Sequence, residues 1–244
     1  MTSPTLLLMS SSRAGDSDYL APCLEPIRTI CQERTILFIP YAGVGMTAAD
    51  YTARVQAALA PAGLTVMGIE EATDPVAAVQ TAEAILVGGG NTFRLLEQLY
   101  HHQLLEPIRQ AVAAGTPYLG WSAGANIAGL SIRTTNDMPI VEPPSFTALG
   151  LVPFQLNPHY TDFKPAGFHG ETRDQRLQEF MVVAPQTPIF AIPEGTFLQV
   201  SGQQMHYQGN APAYLFLKGE KQVVAPQQDC SQWLTAAPVA ATAE

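Results

Sequence analysis

The feature that most constrains this chain is a regular alternation of short apolar runs and amphipathic segments over its first 120 residues. The runs Leu6–Met9, 36–39 and 84–87 have the length of buried strands, while residues 20–31 and 48–59 carry apolar side chains at helical spacing. Such alternation indicates parallel strands joined by crossover helices. The sequence therefore predicts an α/β fold, with a mostly parallel sheet and helices on both of its faces.

The second half of the chain has a different pattern, because prolines punctuate it and favour long structured loops. Apolar strands are predicted around Val152–Leu156 and over 189–192, with a capping-box sequence opening a helix between them. Beyond Gly195, alternating apolar residues predict a C-terminal antiparallel meander. The sequence thus predicts a single α/β domain over residues 1–234 and a frayed, Ala-rich tail over 235–244.

Charge and composition exclude several classes of protein. The chain carries 12 Lys and Arg against 21 Asp and Glu, a net charge of −9, which argues against a general nucleic-acid binder. No apolar run approaches the roughly 18 residues of a membrane-spanning helix, and the N-terminal run lacks the basic region of a signal peptide. Three cysteines without metal-ligand spacing, Cys23, Cys31 and Cys230, indicate a reducing compartment. We therefore expect a cytoplasmic protein that binds neither nucleic acid nor membranes.

A nucleophile-elbow sequence, GWSAG at 120–124, follows a predicted strand at 117–119. A sharp strand-to-helix turn would project the Ser122 hydroxyl away from the sheet, and its small neighbours would let the backbone turn tightly. The N–H group of Ala123, at the start of the following helix, could donate to an oxyanion. The alternative is an ordinary turn in which Ser122 caps the helix.

A second glycine-rich turn, GGGNT at 88–92, also lies between a buried strand and a helix. It is not a Walker A loop, because no Gly-Lys-Ser/Thr follows, and its spacing does not match a dinucleotide-binding fingerprint. The N–H groups of Gly89 and Gly90 could complete an oxyanion hole opposite Ser122. Alternatively, the segment is only a strand-to-helix turn.

A hydrolytic serine needs a base, and His159 is the first candidate because it follows a predicted strand end, as Ser122 does. His169, on a loop, is the second candidate. Glu194 follows another apolar strand, and its carboxylate could orient an imidazole. A metal site built from His159, His169 and Glu171 is a weaker alternative, because these residues follow no recognised ligand spacing.

Six short segments occur in order along the chain: GGGNT at 88–92, GWSAGAN at 120–126, RTTNDMPI at 133–140, NPH at 157–159, GETR at 170–173 and PEG at 193–195. Together they resemble the peptidase E family, which comprises α-aspartyl dipeptidases, and the resemblance extends over residues 5–220. It implies a fold similar to class I glutamine amidotransferases, which is flavodoxin-like. It also implies a serine peptidase that removes the N-terminal aspartate of Asp–X dipeptides through an acyl-enzyme, without a metal or cofactor.

The same resemblance assigns catalytic roles by position. It makes Ser122 the nucleophile, His159 the base and Glu194 the third member of a triad, with Asp137 as the alternative third member. The oxyanion donors would be the N–H groups of Gly89, Gly90 and Ala123.

Recognition of an aspartyl substrate needs a local cation, because a chain of net charge −9 repels acidic substrates at long range. The candidates lie in the loop-rich half: Arg133, Lys164, Arg173 and Arg176. Arg173 is preferred, since it ends the GETR segment and a guanidinium can bind a carboxylate through two hydrogen bonds. Asp137 or Glu171 would receive the substrate's α-amino group, and Asn91 is a further substrate-binding candidate. The expected partner is a small dipeptide, and the protein is expected to be a monomer or homodimer.

Two other functions remain open on the sequence. One is a cyanophycinase-like hydrolase that cuts β-linked aspartyl bonds with the same serine. The other is a non-catalytic small-molecule-binding module of the same fold, which the presence of Ser122, His159 and Glu194 disfavours. An amidotransferase is also disfavoured, because those enzymes use cysteine at the elbow.

Overall fold

The computed structural model describes residues 4–167 and 169–235. The strands are β1 (Thr5–Met9), β2 (Thr35–Ile39), β3 (Thr65–Gly68), β4 (Ala84–Val87), β5 (Tyr118–Trp121), β6 (Gln155–Pro158), β7 (Ile189–Ile192), β8 (Phe197–Ser201), β9 (Gln204–Gln208), β10 (Ala213–Leu217) and β11 (Glu220–Val224). The helices are α1 (Leu24–Cys31), α2 (Ala48–Leu59), α3 (Pro75–Gln80), α4 (Thr92–His101), α5 (Leu105–Ala114), α6 (Ala123–Asn126) and α7 (Arg173–Val183). Apart from Thr235, the tail expected to be frayed lies outside the described residues.

Seven strands form the central sheet, in the order β3-β2-β4-β5-β1-β8-β9. The first five in this order are parallel to their neighbours, and β8 and β9 then add antiparallel strands at the β1 side. The predicted α/β class with a mostly parallel sheet is therefore confirmed. No helix among the described residues is long and apolar enough to cross a membrane.

Both faces of the central sheet are covered, because alternate side chains of a strand point to opposite faces. Leu6 and Leu8 of β1 belong to a core that includes apolar residues of α3, α4 and α5. Leu7 and Met9 belong to a second core with residues of α1 and α2. The three cysteines are buried, and burial raises the pKa of Cys23 and Cys31 to about 12. These thiols are therefore protonated at neutral pH and poor nucleophiles.

Four strands form a second sheet, in the order β11-β10-β7-β6, in which β6 and β7 are parallel. The strands after Gly195 are antiparallel as expected, but they do not form one meander. The hairpin β8–β9 extends the central sheet, whereas β10–β11 joins the second sheet beside β7. The alternating pattern reports which face of each strand is buried, and it carries no information about which sheet accepts the strand.

The strand expected around Val152–Leu156 also differs, since β6 begins only at Gln155. Val152 and Phe154 are fully buried, but they lie in the irregular segment that leads into the strand. The apolar residues Val152 and Phe154 pack into the core as part of a loop. A buried loop and a buried strand both require apolar residues, so the sequence predicted a strand that begins too early. The shift moves the end of β6 to Pro158, directly before His159.

Candidate active site

Ser122 lies in the turn between β5 and α6, with an unusual backbone conformation of φ 53° and ψ −114°. A Cβ atom at Gly120 would collide with the carbonyl of Gly124, and one at Gly124 would collide with that of Val87. Only glycine fits at both positions, so the close approach of strand, turn and helix depends on them. The turn is the sharp, strained elbow that the GWSAG segment predicts.

The structure brings Ser122 together with His159 and Glu194. The Nε2 atom of His159 is 2.9 Å from Ser122 Oγ, and its Nδ1 atom is 2.7 Å from Glu194 Oε1. Each ring nitrogen thus has one partner: if the carboxylate accepts the Nδ1–H proton, Nε2 is free to accept the serine proton. His169 lies exposed on a loop, and His159 occupies the place beside the serine.

Asp137, the alternative partner of the imidazole, lies elsewhere. Its Oδ2 atom accepts hydrogen bonds from the backbone N–H of Thr92 (2.7 Å) and from the Thr92 hydroxyl (2.6 Å). Asn91 is the N-cap of the same helix, α4: its Oδ1 atom accepts the Arg94 N–H, and its Nδ2 atom donates to the Met138 carbonyl. These contacts fix both side chains at the start of α4.

Three backbone N–H groups in the two glycine-containing turns are unpaired among the described residues. Within residues 4–167 and 169–235, the N–H groups of Gly89, Gly90 and Ala123 have no hydrogen-bond acceptor. A Cβ at Gly89 would lie 2.9 Å from that of Ser122, so the glycine turn packs directly against the elbow. Gly90 has φ 138°, a conformation that favours glycine.

Tyr51 orients the glycine turn. Its hydroxyl donates to the Gly89 carbonyl at 2.7 Å, and burial raises the pKa of Tyr51 so that the hydroxyl keeps its proton. The oxygen and hydrogen of a trans peptide point in opposite directions. Holding the Gly89 carbonyl on Tyr51 therefore turns the Gly90 N–H away from that side chain.

Two serines at the end of β1 connect the strands that carry His159 and Glu194. Ser10 Oγ accepts the backbone N–H of His159 and donates to the carbonyl of Ile192, each at 2.8 Å. Ser11 Oγ accepts the N–H of Gly195 at 3.1 Å. Both hydroxyls thus bridge the central sheet and the second sheet at the point where the catalytic candidates meet.

We expect Ser10→Ala to lower kcat about tenfold with little change in KM, because a small misplacement of a reacting group is costly. The substitution leaves the partly buried His159 N–H and the buried Ile192 carbonyl without their shared partner. Steady-state kinetics on an Asp–X dipeptide would measure it, with Ser145→Ala, at an exposed serine, as the control. Unchanged kcat in Ser10→Ala would show that the bridge does not position His159.

Buried amides and hydroxyls hold the end of β6 as well. The carbonyl of Leu156 accepts hydrogen bonds from Asn126 Nδ2 (2.7 Å) and Thr134 Oγ1 (2.8 Å). Asn136 Nδ2 donates to the carbonyl of Pro158 at 2.9 Å. The RTTND part of the segment at 133–140 therefore supports the backbone that presents His159.

None of the cations predicted to read the substrate lines the cavity in front of Ser122. Arg173 begins α7 and lines a cavity of about 250 Å³ with Arg176 and Glu171. Burial, and then the charge of Arg176, lower the pKa of Arg173, while the Asp137 carboxylate acts in the opposite direction. Glu171 Oε2 lies 3.4 Å from Arg176 Nε. The remaining candidates, Arg133 and Lys164, are exposed.

The cavity in front of Ser122, the elbow cavity, has a volume of about 500 Å³, within the range of small-molecule sites. The sequence identified these lining residues: Gly89, Gly90, Asn91, Ser122, Asp137 and His159. It missed Tyr19, which lies in a turn before α1, and Tyr51 and Arg54, which have the ordinary spacing of helix residues on α2. No group of three His, Cys, Asp or Glu side chains within the described part of the chain could hold a metal ion, so the weaker alternative of His159, His169 and Glu171 finds no support there.

The chain is similar to known proteins both in sequence and in structure. The model of the family described as Peptidase family S51 matches residues 6–208. The chain is 52% identical to peptidase E of Shewanella denitrificans over 230 residues, 93% of this chain and 98% of the relative. It is also 52% identical to peptidase E of Shewanella amazonensis over 231 residues, with the same coverage. Among solved structures, a peptidase from an acI-B1 Actinobacterium is similar, with a TM-score of 0.70 at 18% identity over 93% of this chain and 96% of that one.

Proposed function

The chain belongs to peptidase family S51, and from this premise we propose that it is a serine-type α-aspartyl dipeptidase that cleaves Asp–X dipeptides through an acyl-enzyme. One observation carries the proposal: the continuous hydrogen-bonded series from Ser122 through His159 to Glu194, at 2.9 and 2.7 Å. A nucleophile, a base and an orienting carboxylate in contact are the requirement for acyl transfer by serine.

Acylation begins as Ser122 Oγ attacks the carbonyl carbon of the aspartyl residue and His159 Nε2 takes its proton. Glu194, hydrogen-bonded to Nδ1, stabilises the imidazolium that forms. The negative charge that develops on the carbonyl oxygen is received by the N–H groups of Ala123 and the Gly89-Gly90 turn. These donors have no acceptor among the described residues, so binding the oxyanion would break no existing hydrogen bond.

Collapse of the tetrahedral intermediate breaks the C–N bond, and His159 gives its proton to the leaving amine of residue X. Water then enters, His159 takes a proton from it, and the resulting hydroxide attacks the acyl carbon. When the C–O bond to Ser122 breaks, the proton returns to the serine and free aspartate leaves.

Two charged groups of the substrate's aspartyl residue need binding partners: the α-amino group and the side-chain carboxylate. Asp137 is the better acceptor for the α-amino group, because it lines the elbow cavity, whereas Glu171 contacts Arg176. Arg173 is the candidate for the side-chain carboxylate: it has no ion-pair partner among the described residues, and burial already disfavours its unpaired charge. A bound carboxylate would relieve that cost.

The wild-type protein is expected to hydrolyse Asp–Leu, in the presence of EDTA, at least about a hundredfold faster than Glu–Leu, because a buried ion pair depends on the exact reach of the substrate carboxylate. Arg173→Gln should remove most of this preference, and Lys218→Gln, at an exposed lysine, should retain it. Release of leucine, measured by chromatography, gives both rates.

Other outcomes would select other functions. Cleavage of β-linked Asp–Leu and not of the α-linked dipeptide would identify a cyanophycinase-like hydrolase. Cleavage of neither compound, together with failure of a fluorophosphonate to label Ser122, would identify a binding module without catalytic activity.

A further inference from the structure

One cation lies within the elbow cavity itself. Arg54, on α2, is the only Lys or Arg among the described residues that line the cavity in front of Ser122. Its guanidinium carbon lies 4.1 Å from the centre of the Tyr19 ring. A guanidinium stacked on an aromatic face loses less freedom on binding an anion than one on an unrestrained side chain.

The charge of Arg54 is unpaired within the described residues, unlike that of three arginines on the helices α1, α4 and α5. Arg28, Arg94 and Arg109 each contact a glutamate three positions away on their own helix. Within residues 4–167 and 169–235, no carboxylate lies within ion-pair distance of Arg54. Its donors are therefore free to bind a carboxylate brought by a ligand.

Aromatic contacts connect Arg54 to the reacting serine. The Tyr19 ring packs edge-on against Trp121, with centroids 6.2 Å apart, and Trp121 directly precedes Ser122. Tyr51, one helical turn before Arg54 on α2, donates to the carbonyl of Gly89. Arg54 thus belongs to the wall that also carries the nucleophile and the glycine turn.

The chemistry of a dipeptide supplies the anion. In Asp–X the terminal carboxylate belongs to the residue directly after the scissile bond, and adjacent Cα atoms are only about 3.8 Å apart. That carboxylate must therefore lie in the same cavity as Ser122. Asp137, which also lines the cavity, cannot bind it because the two negative charges repel.

We propose that the Arg54 guanidinium binds the C-terminal carboxylate of the dipeptide, so that the site selects substrates whose chain ends one residue after the scissile bond. This inference rests on the proposed dipeptidase function and adds the group that measures substrate length. Arg173 lines a separate cavity, but the charge of Asp137, which lines the cavity in front of Ser122, acts on it, and it remains the candidate for the aspartyl side chain. Each of the two carboxylates of Asp–X then has its own arginine.

The test compares Asp–Leu with Asp–Leu-amide, which lacks only the terminal charge, in the wild type, Arg54→Gln, Arg54→Lys and the control Arg94→Gln. Arg54→Gln should lower kcat/KM for Asp–Leu about thirtyfold, the value of a charge-assisted hydrogen-bond pair, and change that for the amide less than threefold. Arg54→Lys should recover part of the loss, and Arg94→Gln should match the wild type. Activity on the amide also reports that each variant is folded.

Three results would overturn the assignment. Equal loss on both substrates would assign Arg54 to the aspartyl residue or to the fold, and no loss on either would show that it does not contact substrate. Wild-type protein that cleaves neither compound would overturn the proposed function, and the role of Arg54 with it. In the first two results the wild-type protein still hydrolyses Asp–Leu. Failure of this inference is therefore distinguishable from failure of the proposed function.

Discussion

Replacing Ser122 with alanine is expected to lower kcat on Asp–Leu by roughly 10⁴- to 10⁶-fold, the range seen when a serine nucleophile is removed. The hydroxyl is the atom that bonds to the substrate, and the neighbouring donors cannot replace it. The three cysteines cannot replace it either, because they are buried and burial raises the pKa of each thiol. Alanine suits a turn that already requires small residues, so the fold should persist.

A sensitive assay with purified protein would measure the residual rate, and a fluorophosphonate would test the same atom independently. The reagent should label the wild type at Ser122 and leave Ser122→Ala unlabelled. Ser201→Ala, at an exposed serine that ends β8, is the matched control and should retain full activity and labelling. Retention of more than a few per cent of the wild-type rate in Ser122→Ala would refute an acyl-enzyme on this residue.

The second large effect is expected from Glu194→Gln, with a loss in kcat of about 10³-fold. A glutamine amide can donate to His159 Nδ1, which would place the ring proton on Nε2. In that tautomer the nitrogen beside Ser122, now at 2.9 Å, can no longer accept the serine proton. The carboxylate that stabilises the imidazolium is lost as well. Because the Glu194 side chain is 54% exposed, we place the loss below that seen for fully buried triad acids.

Asp137→Asn provides the comparison, since it removes the carboxylate that contacts Thr92 and leaves His159 and its partners in place. We expect a higher KM, from weaker binding of the α-amino group, and a kcat within about tenfold of the wild type. Measuring kcat at saturating Asp–Leu in both variants decides which of the two carboxylates is the third member of the triad. A larger loss of kcat in Asp137→Asn than in Glu194→Gln would reverse the assignment of the third member.

The parts of the site that sequence analysis identified share a local cause. Ser122 and the Gly89-Gly90 turn lie where a strand must turn sharply into a helix, and that geometry requires glycine at fixed spacing. His159 and Glu194 likewise lie directly after proline at the ends of short buried strands. Such positions can be recognised within a few residues. His159 and Glu194 come together because β6 and β7 are parallel neighbours, whereas Ser122 meets them from the central sheet.

The parts that sequence analysis missed depend on how distant segments pack. Ser10 is one of three consecutive serines, and only the approach of the second sheet gives its hydroxyl two partners. Arg54 has the spacing of any exposed helix residue, and only the stacking on Tyr19 orients it towards the cavity. The distribution of the C-terminal hairpins between two sheets is non-local in the same way. Nothing in the alternating pattern of those strands specifies their partners.

The bridge that Ser10 and Ser11 form between the two sheets has a consequence for inactivation. Ser122 belongs to the seven-stranded sheet, whereas His159 and Glu194 follow strands of the four-stranded sheet. A slip of about 1 Å between these layers would break the contact between nucleophile and base while every strand stayed paired. Mild heat or denaturant should therefore abolish activity before the secondary structure is lost. The rate of turnover then reports whether the two sheets keep their relative position.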